Sequence, residues 1–199
     1  MFSSSCTADG LIDRAISELG YAKAPEREVF YNSLNDCLAR LYSEVIVPRR
    51  RYPLTAQNGC ANLKEVALPE HCAPLRTTDI VAAWNGARQL RFLPYTVLPL
   101  GGKGYYTLAD EHLILGDGED GENLSVDVIL RPERFSEENG TECVPFPDEF
   151  LSLLLCRMRG DALRLSGEDG EAAKWLGEYN TLLDEFANWL AEANRRRKG

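Results

Sequence analysis

Histidine is nearly absent from this sequence: only His71 and His112 occur among 199 residues. The sequence also has no G-x-S-x-G nucleophile motif, and neither histidine has a suggestive partner nearby in the chain. A small hydrolase that uses His71 or His112, with Cys72 as a thiol beside His71, is one alternative. Because catalysis requires several groups in defined roles, the sequence favours a protein that is not an enzyme and has no catalytic residues.

Closely paired cysteines are also missing, since the six cysteines include no C-x-x-C pair. Cys60 with the adjacent His71 and Cys72 is the one arrangement that resembles a metal site. It lacks the short-range ligand pairs of a zinc knuckle, so we interpret it as an ordinary loop with reduced thiols. The sequence therefore predicts no metal and no cofactor.

Basic residues are few compared with acidic ones: 22 Lys and Arg face 31 Asp and Glu, which gives a net charge of −9. This excess argues against a dedicated nucleic-acid binder and against adhesion to an anionic membrane. No stretch approaches about 18 uninterrupted apolar residues, and the first residues lack the basic and apolar segments of a secretory signal. We therefore expect synthesis in the cytosol and no membrane association.

Two helices are predicted near the start of the chain, in residues 8–47, because apolar residues recur there every three or four positions. The first stripe runs from Leu11 to Leu19, with Asp9 as the expected N-cap. The second helix is predicted over residues 25–47, a length of about six turns. Pro48 should end it, because proline lacks the amide hydrogen that a helix needs.

The middle of the chain, residues 51–144, has the pattern of short strands separated by turns. Residues 124–130 alternate between apolar and polar side chains, which is typical of a strand with one buried face. Residues 105–115 are expected to form a hairpin, and residues 90–96 an edge strand because a proline interrupts them. We expect these strands to form a small antiparallel β-sandwich or open barrel.

The last part of the chain, residues 147–197, has the clearest helical periodicity. Apolar stripes over residues 151–165 and 172–193 predict a helical hairpin with a turn around Gly167. Together with the preceding regions, this predicts an α+β protein. Two N-terminal helices and the C-terminal hairpin form a helical frame, and the β region is inserted into it within a single domain of residues 1–199.

Two charged segments stand out from this pattern. The acidic segment from Asp117 to Glu122 lacks the residue order of a calcium-binding loop, so we interpret it as a solvated turn. The densest basic cluster directly follows the last helix. It complements the helix dipole or serves as an electrostatic contact for an acidic partner or DNA, and the sequence leaves both alternatives open. Its members are Arg195, Arg196, Arg197 and Lys198.

The order of these elements resembles that of the head–tail connector (adaptor) proteins of tailed bacteriophages and prophages, over about residues 9–193. Two loops, residues 57–73 and 116–122, have no counterpart in that pattern. The segments that carry the resemblance are Val144–Phe150 (VPFPDEF), Arg159–Ala162 (RGDA), Ala172–Asn180, and the strand Tyr105–Leu108 with its returning partner His112–Leu115.

The resemblance implies a structural virion protein that forms a homo-oligomeric ring, about twelve-fold, between the portal and the tail. Its expected partners are the portal protein and the tail or head-completion proteins, while DNA passes through the ring without sequence-specific binding. The C-terminal segment of such adaptors docks on the portal, which would give Arg195–Lys198 a role. The protein is then expected in the virion, and in the bacterial cytoplasm during assembly. A ligand-binding module or another tail or neck component is the alternative.

Overall fold

The computed structural model describes residues 2, 4–20, 24–98, 102–119 and 121–196. These residues fold into two N-terminal helices, two four-stranded sheets and a C-terminal helix pair. The predicted α+β class is confirmed. The chain divides into two compact units, a helical unit that comprises Met1–Ile46 and Arg134–Gly199, and a β unit that comprises Val47–Glu133.

The first helix, α1, spans Ala8–Leu19. Its N-cap is Thr7, whose hydroxyl oxygen accepts a hydrogen bond from the Gly10 amide at 3.1 Å. The prediction that Asp9 caps this helix is therefore wrong. Asp9 lies inside the first turn, where a negative charge still stabilises the positive end of the helix dipole. Gly20 ends the helix with a φ of 82°, a conformation that favours glycine.

The second predicted helix begins as an α-helix and ends in a π-helical segment. The helix α2 spans Arg27–Arg40 and continues as a π-helical segment over Leu41–Ile46. In that segment Tyr42 is fully buried, and its hydroxyl donates a hydrogen bond to the Pro145 carbonyl oxygen at 2.6 Å. Val47 follows with a φ of 40°, which is strained for a β-branched residue. The helical stretch therefore ends at Ile46, one residue short of the predicted end at Val47, and Pro48 lies outside it as predicted.

The described part of the β unit contains eight strands in two open sheets. One sheet has the strand order β1-β8-β3-β4 and the other has the order β2-β7-β6-β5. Neither sheet closes on itself within the described residues, so the predicted sandwich or open barrel takes the form of two open sheets. The strands are β1 Arg49–Pro53, β2 Cys60–Asn62, β3 Ile80–Asn85, β4 Arg88–Gln89, β5 Arg91–Phe92, β6 Tyr105–Ala109, β7 His112–Leu115 and β8 Leu124–Ile129.

The strand β8 lies between β1 and β3 and pairs with both in the antiparallel sense. Leu124, Val126 and Val128 are buried, whereas the residues between them are partly exposed. The alternating pattern of the sequence therefore predicts both the strand and its buried face correctly.

The predicted hairpin is present as β6 and β7. Ala109 pairs with His112 across Asp110 and Glu111. These two turn residues have φ values of 45° and 64°. Two consecutive positive φ values are typical of the two-residue turns whose twist matches that of the flanking strands.

The edge strand predicted over residues 90–96 is shorter than expected. Only Arg91–Phe92 forms a strand, β5, and the chain turns at Tyr95. This strand does lie at a sheet edge, as predicted, but it pairs with β6 in the parallel sense. The expectation of a purely antiparallel arrangement is wrong for this one pair.

The predicted C-terminal hairpin is confirmed. A short 3₁₀ turn at Asp148–Phe150 precedes α3, which spans Leu151–Leu165, and α4 follows over Asp169–Arg196. The two helices approach closely at Gly160, where an added Cβ atom would lie 2.7 Å from the Leu176 side chain. A larger residue at this position would therefore push α4 away from α3.

Each unit has an apolar core of its own. Among the buried members of the helical core are Leu11, Ile12, Phe30, Leu34, Leu38, Phe146, Leu153, Leu154, Met158, Tyr179 and Phe186. Among those of the β core are Leu54, Ala61, Leu63, Ala83, Tyr106, Leu113, Leu124, Val126, Val128 and Leu130. In α4, the buried residues Ala172, Tyr179 and Phe186 lie seven positions apart. Trp175, which belongs to the predicted apolar stripe, is only partly buried.

Candidate functional site

The C-terminal basic cluster begins in the last turn of α4. Arg195 and Arg196 are exposed there, whereas Arg197 and Lys198 lie outside the described residues. A guanidinium nitrogen of Arg196 lies 4.0 Å from a carboxylate oxygen of Glu192, and both side chains are largely exposed. Such an exposed ion pair contributes little to stability, so it leaves the cationic groups available to an acidic partner.

An aromatic cluster holds the last third of α4 in place. The Phe186 ring lies at its centre, with centroids 4.9 Å from Phe146, 5.1 Å from Phe150, 5.9 Å from Trp189 and 6.4 Å from Phe2. Ring pairs at these distances add to the hydrophobic gain of burial. The basic cluster therefore starts from an anchored helix.

The acidic segment from Asp117 to Glu122 is not a solvated turn throughout. Asp117 is exposed, as expected, and Asp120 lies outside the described residues. The side chain of Glu119, in contrast, is only 1% exposed. The prediction of a solvated turn is therefore wrong at Glu119.

The carboxylate of Glu119 joins three parts of the β unit. It accepts hydrogen bonds from the Asn85 side-chain amide and from the Gly104 backbone amide, both at 2.6 Å, and from the Arg88 guanidinium. Burial alone would raise the pKa of Glu119, but these donors outweigh that effect and lower it. Glu119 therefore fixes the acidic loop against the turn between β3 and β4.

The β unit exposes several large apolar side chains on β3, on its edge strand β5 and in the segment that follows β5. Phe92 is 54% exposed and Tyr95 is 63% exposed, and Val81 and Val97 are also exposed. The Phe92 ring packs edge-on against Tyr106 with 5.7 Å between the centroids. We name Val81, Phe92, Tyr95 and Val97 the β-unit apolar surface. Val81 and Phe92 line one shallow pocket with Tyr106, and neighbouring exposed apolar groups of this kind commonly mark a contact with another protein.

A second basic cluster, which the sequence interpretation missed, lies on β1. Arg49 and Arg50 are exposed, and the Arg51 guanidinium stacks on the Trp84 ring with its carbon 4.0 Å from the ring centroid. Arg51 donates two hydrogen bonds to Asp127, at 2.7 and 3.1 Å, and the Trp84 indole donates a third at 2.8 Å. The Arg51 hydrogen bonds, with that of Trp84, lower the pKa of Asp127.

A groove of about 730 Å³ runs over α3 between α1 and α4, and we name it the α3 groove. Its floor combines apolar and polar side chains of α3, and its two walls are charged. The groove is lined by Ser152, Leu155, Cys156, Arg159 and Leu163 of α3, by Arg14, Glu18 and Leu19 of α1, and by Glu171, Lys174, Trp175, Glu178 and Leu182 of α4.

The most unusual group in the α3 groove is Arg159. It is only 4% exposed, forms an ion pair with Glu18, and has its guanidinium carbon 4.5 Å from the centroid of the Trp175 ring. Its Nε atom is buried and has no hydrogen-bond partner among the described residues. Burial and the neighbouring Arg14 lower the pKa of Arg159. A buried donor left unpaired costs free energy, so Arg159 is held by its ion pair with Glu18 and by its contact with the Trp175 ring without a full set of hydrogen bonds.

No known protein family model matches this sequence. No curated protein matches it either. The surfaces described above, together with the resemblance in element order, are therefore the basis for a functional proposal.

The residues considered for metal binding and nucleophilic catalysis occupy ordinary structural positions. Cys60 lies in β2, and His71 precedes Cys72 in a turn with a φ of 61°. Burial raises the pKa of the Cys72 thiol, which makes its reactive thiolate scarce at neutral pH. His112 has its Nδ1 atom 2.6 Å from the Asp110 carbonyl oxygen. Within the described ranges, no three side chains of His, Cys, Asp or Glu form a group that could hold a metal ion.

In the part of the chain that the structure describes, no helix is both long and apolar enough to cross a bilayer.

Proposed function

We propose that this protein is a head–tail connector (adaptor) of a tailed bacteriophage or prophage. In this role it is a non-enzymatic component of the virion that forms a ring between the portal and the tail, with DNA passing through the ring. The observation that carries the proposal is the order of the elements. Two helices, an inserted pair of open sheets and a helix pair with a 28-residue last helix follow one another as the resemblance implies.

Exposed surfaces of two kinds support an assembly role. The β unit presents the β-unit apolar surface, whereas the helical unit presents the concave α3 groove. A ring requires a heterologous contact, in which one surface of each subunit meets a different surface of the next subunit. Two chemically distinct contact surfaces on one chain suit this requirement.

The distribution of charge suits a DNA channel. Residues 51–146 carry fourteen acids and eight bases, so most of the negative excess belongs to the middle of the chain. A negative wall repels phosphates and lets DNA slide without being trapped. The exposed Arg195 and Arg196, at the end of an anchored helix, suit the role of a contact with an acidic surface of the portal.

Assembly of the purified chain tests the proposal. Sedimentation velocity and negative-stain electron microscopy, with and without the portal protein of the same phage or prophage, should show closed rings or ordered binding to the portal. A chain that remains a monomer at high concentration, both alone and with its cognate portal, would contradict the proposal.

The role of the basic cluster has its own test. Replacing Arg195 and Arg196 by Gln should leave folding unchanged and weaken portal binding on the order of tenfold at low salt. The loss should shrink as the salt concentration rises, because ionic contacts are screened beyond about 10 Å at 0.1 M salt. The matched control replaces Arg76 and Arg164 by Gln, since both are exposed arginines outside these surfaces. Equal binding of the two variants would limit Arg195 and Arg196 to a solvated helix end.

A further inference from the structure

The segment that links the two sheets of the β unit opens a cleft between β3 and β5. The Leu90 amide still donates to the Ala83 carbonyl oxygen of β3, at 2.9 Å, whereas the Arg91 amide donates to the Gly104 carbonyl oxygen next to β6, at 2.8 Å. The chain therefore leaves one sheet and joins the other at Leu90. The shallow pocket described above lies at this point, has a volume of about 430 Å³, and is named here the β3–β5 cleft. It is lined by Val81, Gln89, Leu90, Arg91, Phe92 and Tyr106.

The backbone of Phe92 faces the outer side of β5. The amides on either side of it, those of Arg91 and Leu93, donate to the carbonyl oxygens of Gly104 and Tyr106, both at 2.8 Å. Since successive residues of a strand direct their backbone groups to opposite sides, the N–H and C=O of Phe92 face away from β6. Among the described strands, none pairs with β5 on this outer side. The strand β5 therefore offers a free edge to which another strand can be added.

A second edge strand, β1, differs from β5 in its protection. The strand β1 carries the exposed Arg49–Arg51 and ends in Pro53. Charged side chains and proline at a sheet edge oppose pairing with another chain. The edge at β5 instead carries the Phe92 ring, which is 54% exposed, beside the exposed Val81 of β3. An edge with these apolar groups favours pairing with a partner strand.

The charges around the β3–β5 cleft select an acidic partner strand. Residues 80–109 contain three Lys and Arg but no Asp or Glu, although the whole chain has a net charge of −9. Arg88 is paired with Glu119, whereas Arg91 is exposed and forms no ion pair among the described residues. Arg91 and Phe92 are neighbours in a strand, so their side chains lie on opposite faces. A partner strand in which acids alternate with apolar residues matches this arrangement.

The strands of this chain do not supply such a partner. Among the residues of the eight described strands, the only Asp or Glu is Asp127. It lies on β8, which has a neighbour on each side, and its carboxylate already accepts hydrogen bonds from Arg51 and Trp84. We propose that the β3–β5 cleft binds an extended, acidic segment of a different protein, which adds a strand to the outer edge of β5. This inference goes beyond the proposed ring function and does not depend on it.

Synthetic peptides test the inference on the full chain. The probe is a peptide of about eight residues in which Glu and Val alternate, and the control peptide has Lys in place of Glu. In fluorescence anisotropy at low salt, the acidic peptide should bind at least about tenfold more tightly than the control. It should also slow hydrogen exchange at the Phe92 amide, because that amide would donate to the added strand. Equal binding of the two peptides, or an unchanged exchange rate at Phe92, overturns the inference.

Variants separate the charge of the cleft from its backbone edge. Arg91→Glu should weaken binding of the acidic peptide at least about tenfold, whereas the control Arg76→Glu, at an exposed site outside the cleft, should bind it like the unmodified chain. Phe92→Ala removes the ring but keeps the amide, and Phe92→Pro removes both. The proline variant should therefore bind about tenfold more weakly than the alanine variant. Equal binding of these two variants contradicts strand addition.

Folding and self-association complete the test. Circular dichroism checks that each variant is folded, and if Phe92→Pro is not, Arg91→Glu and the exchange of the Phe92 amide decide the outcome. If the unmodified chain self-associates and Arg91→Glu abolishes this, the occupant is a second copy and the inference fails. A chain that forms rings but does not bind the acidic peptide leaves only the ring proposal standing. A chain that binds the peptide at β5 but forms no ring and binds no portal leaves only this inference standing.

Discussion

In the helical unit, the ring of Phe186 is packed against four other aromatic rings, and apolar side chains from all four helices fill the space around it. In the β unit, carboxylates hold the loops and edges around a smaller apolar core: Glu119 binds a glycine amide, and Asp127 binds an arginine and a tryptophan. Both units contain carboxylates bonded to arginine, since Asp9 binds Arg27 in the helical unit. The two units differ in degree: the helical unit has a larger packed core and one described carboxylate with a lowered pKa, Asp9, whereas the β unit has two, Glu119 and Asp127.

The largest expected effect comes from a cavity in the helical unit. Phe186→Ala should lower the free energy of unfolding by about 3–5 kcal/mol, because a fully buried ring is removed from a packed cluster. Urea denaturation followed by circular dichroism measures this loss. Leu165→Ala is the control, since that side chain is 69% exposed and its removal should change stability by less than about 0.5 kcal/mol. Similar losses for the two variants would contradict the described packing.

A smaller effect is expected from one carboxylate of the β unit. Glu119→Gln replaces a charged acceptor by a neutral one and should cost about 2 kcal/mol, mainly at the Gly104 amide and Arg88. Hydrogen exchange should then speed up at the Gly104 amide. Asp117→Asn, in the same loop but exposed, is the matched control and should leave that amide protected.

Acid should lower the stability of the β unit more than that of the helical unit. Glu119 and Asp127 have pKa values below their ordinary values, so the stability they contribute is present above about pH 4 and is lost as the pH falls through the folded-state pKa values. Protection factors from hydrogen exchange should therefore fall more in the β unit than in the helical unit between pH 7 and pH 3. In the helical unit, Asp9 is the one described carboxylate with a lowered pKa. An equal fall of the protection factors in both units would contradict this expected difference in acid sensitivity.

The smallest expected change in stability comes from Val47, whose backbone conformation is strained. Val47→Gly should stabilise the protein by about 1 kcal/mol, because a φ of 40° is unfavourable for a β-branched side chain. Val45→Gly is the control: it lies in the π-helical segment and should destabilise the protein by about 1 kcal/mol. Urea denaturation measures both changes. If both substitutions destabilise, Val47 is not strained.

Local periodicity predicted the parts of the fold that depend on one segment at a time. The stripes from Leu151 to Leu165 and from Ala172 to Ala193 predicted the helix pair, and the alternation from Leu124 to Leu130 predicted β8. The N-cap of α1 could not be assigned from spacing alone, since Thr7 and Asp9 are both good capping residues. A contact far along the chain engages Asp9 instead, because its carboxylate accepts hydrogen bonds from Tyr31 and Arg27.

The candidate site was harder to predict because its groups come from three helices. An arginine on the otherwise apolar face between Cys156 and Leu163 was the visible signal for Arg159. The spacing does not reveal that Glu18 and Trp175 surround it, because both lie in other helices. The parallel pairing of β5 could not be predicted from the sequence either, since a two-residue strand has no periodicity from which a direction or register follows.

The π-helical segment after α2 has a consequence for how this protein tolerates change. A π-helical turn holds one residue more than an α-helical turn, which is the mark of a single-residue insertion. Deleting an exposed residue of the segment, such as Glu44, would convert it to an α-helical turn and leave Val45 and Ile46, which pack against the helical core, facing nearly the same way. Tyr42 cannot be the residue that is lost, because its buried hydroxyl donates a hydrogen bond to the Pro145 carbonyl oxygen. Natural variants of this protein should therefore tolerate a change of one residue in the length of Leu41–Ile46 while keeping Tyr42.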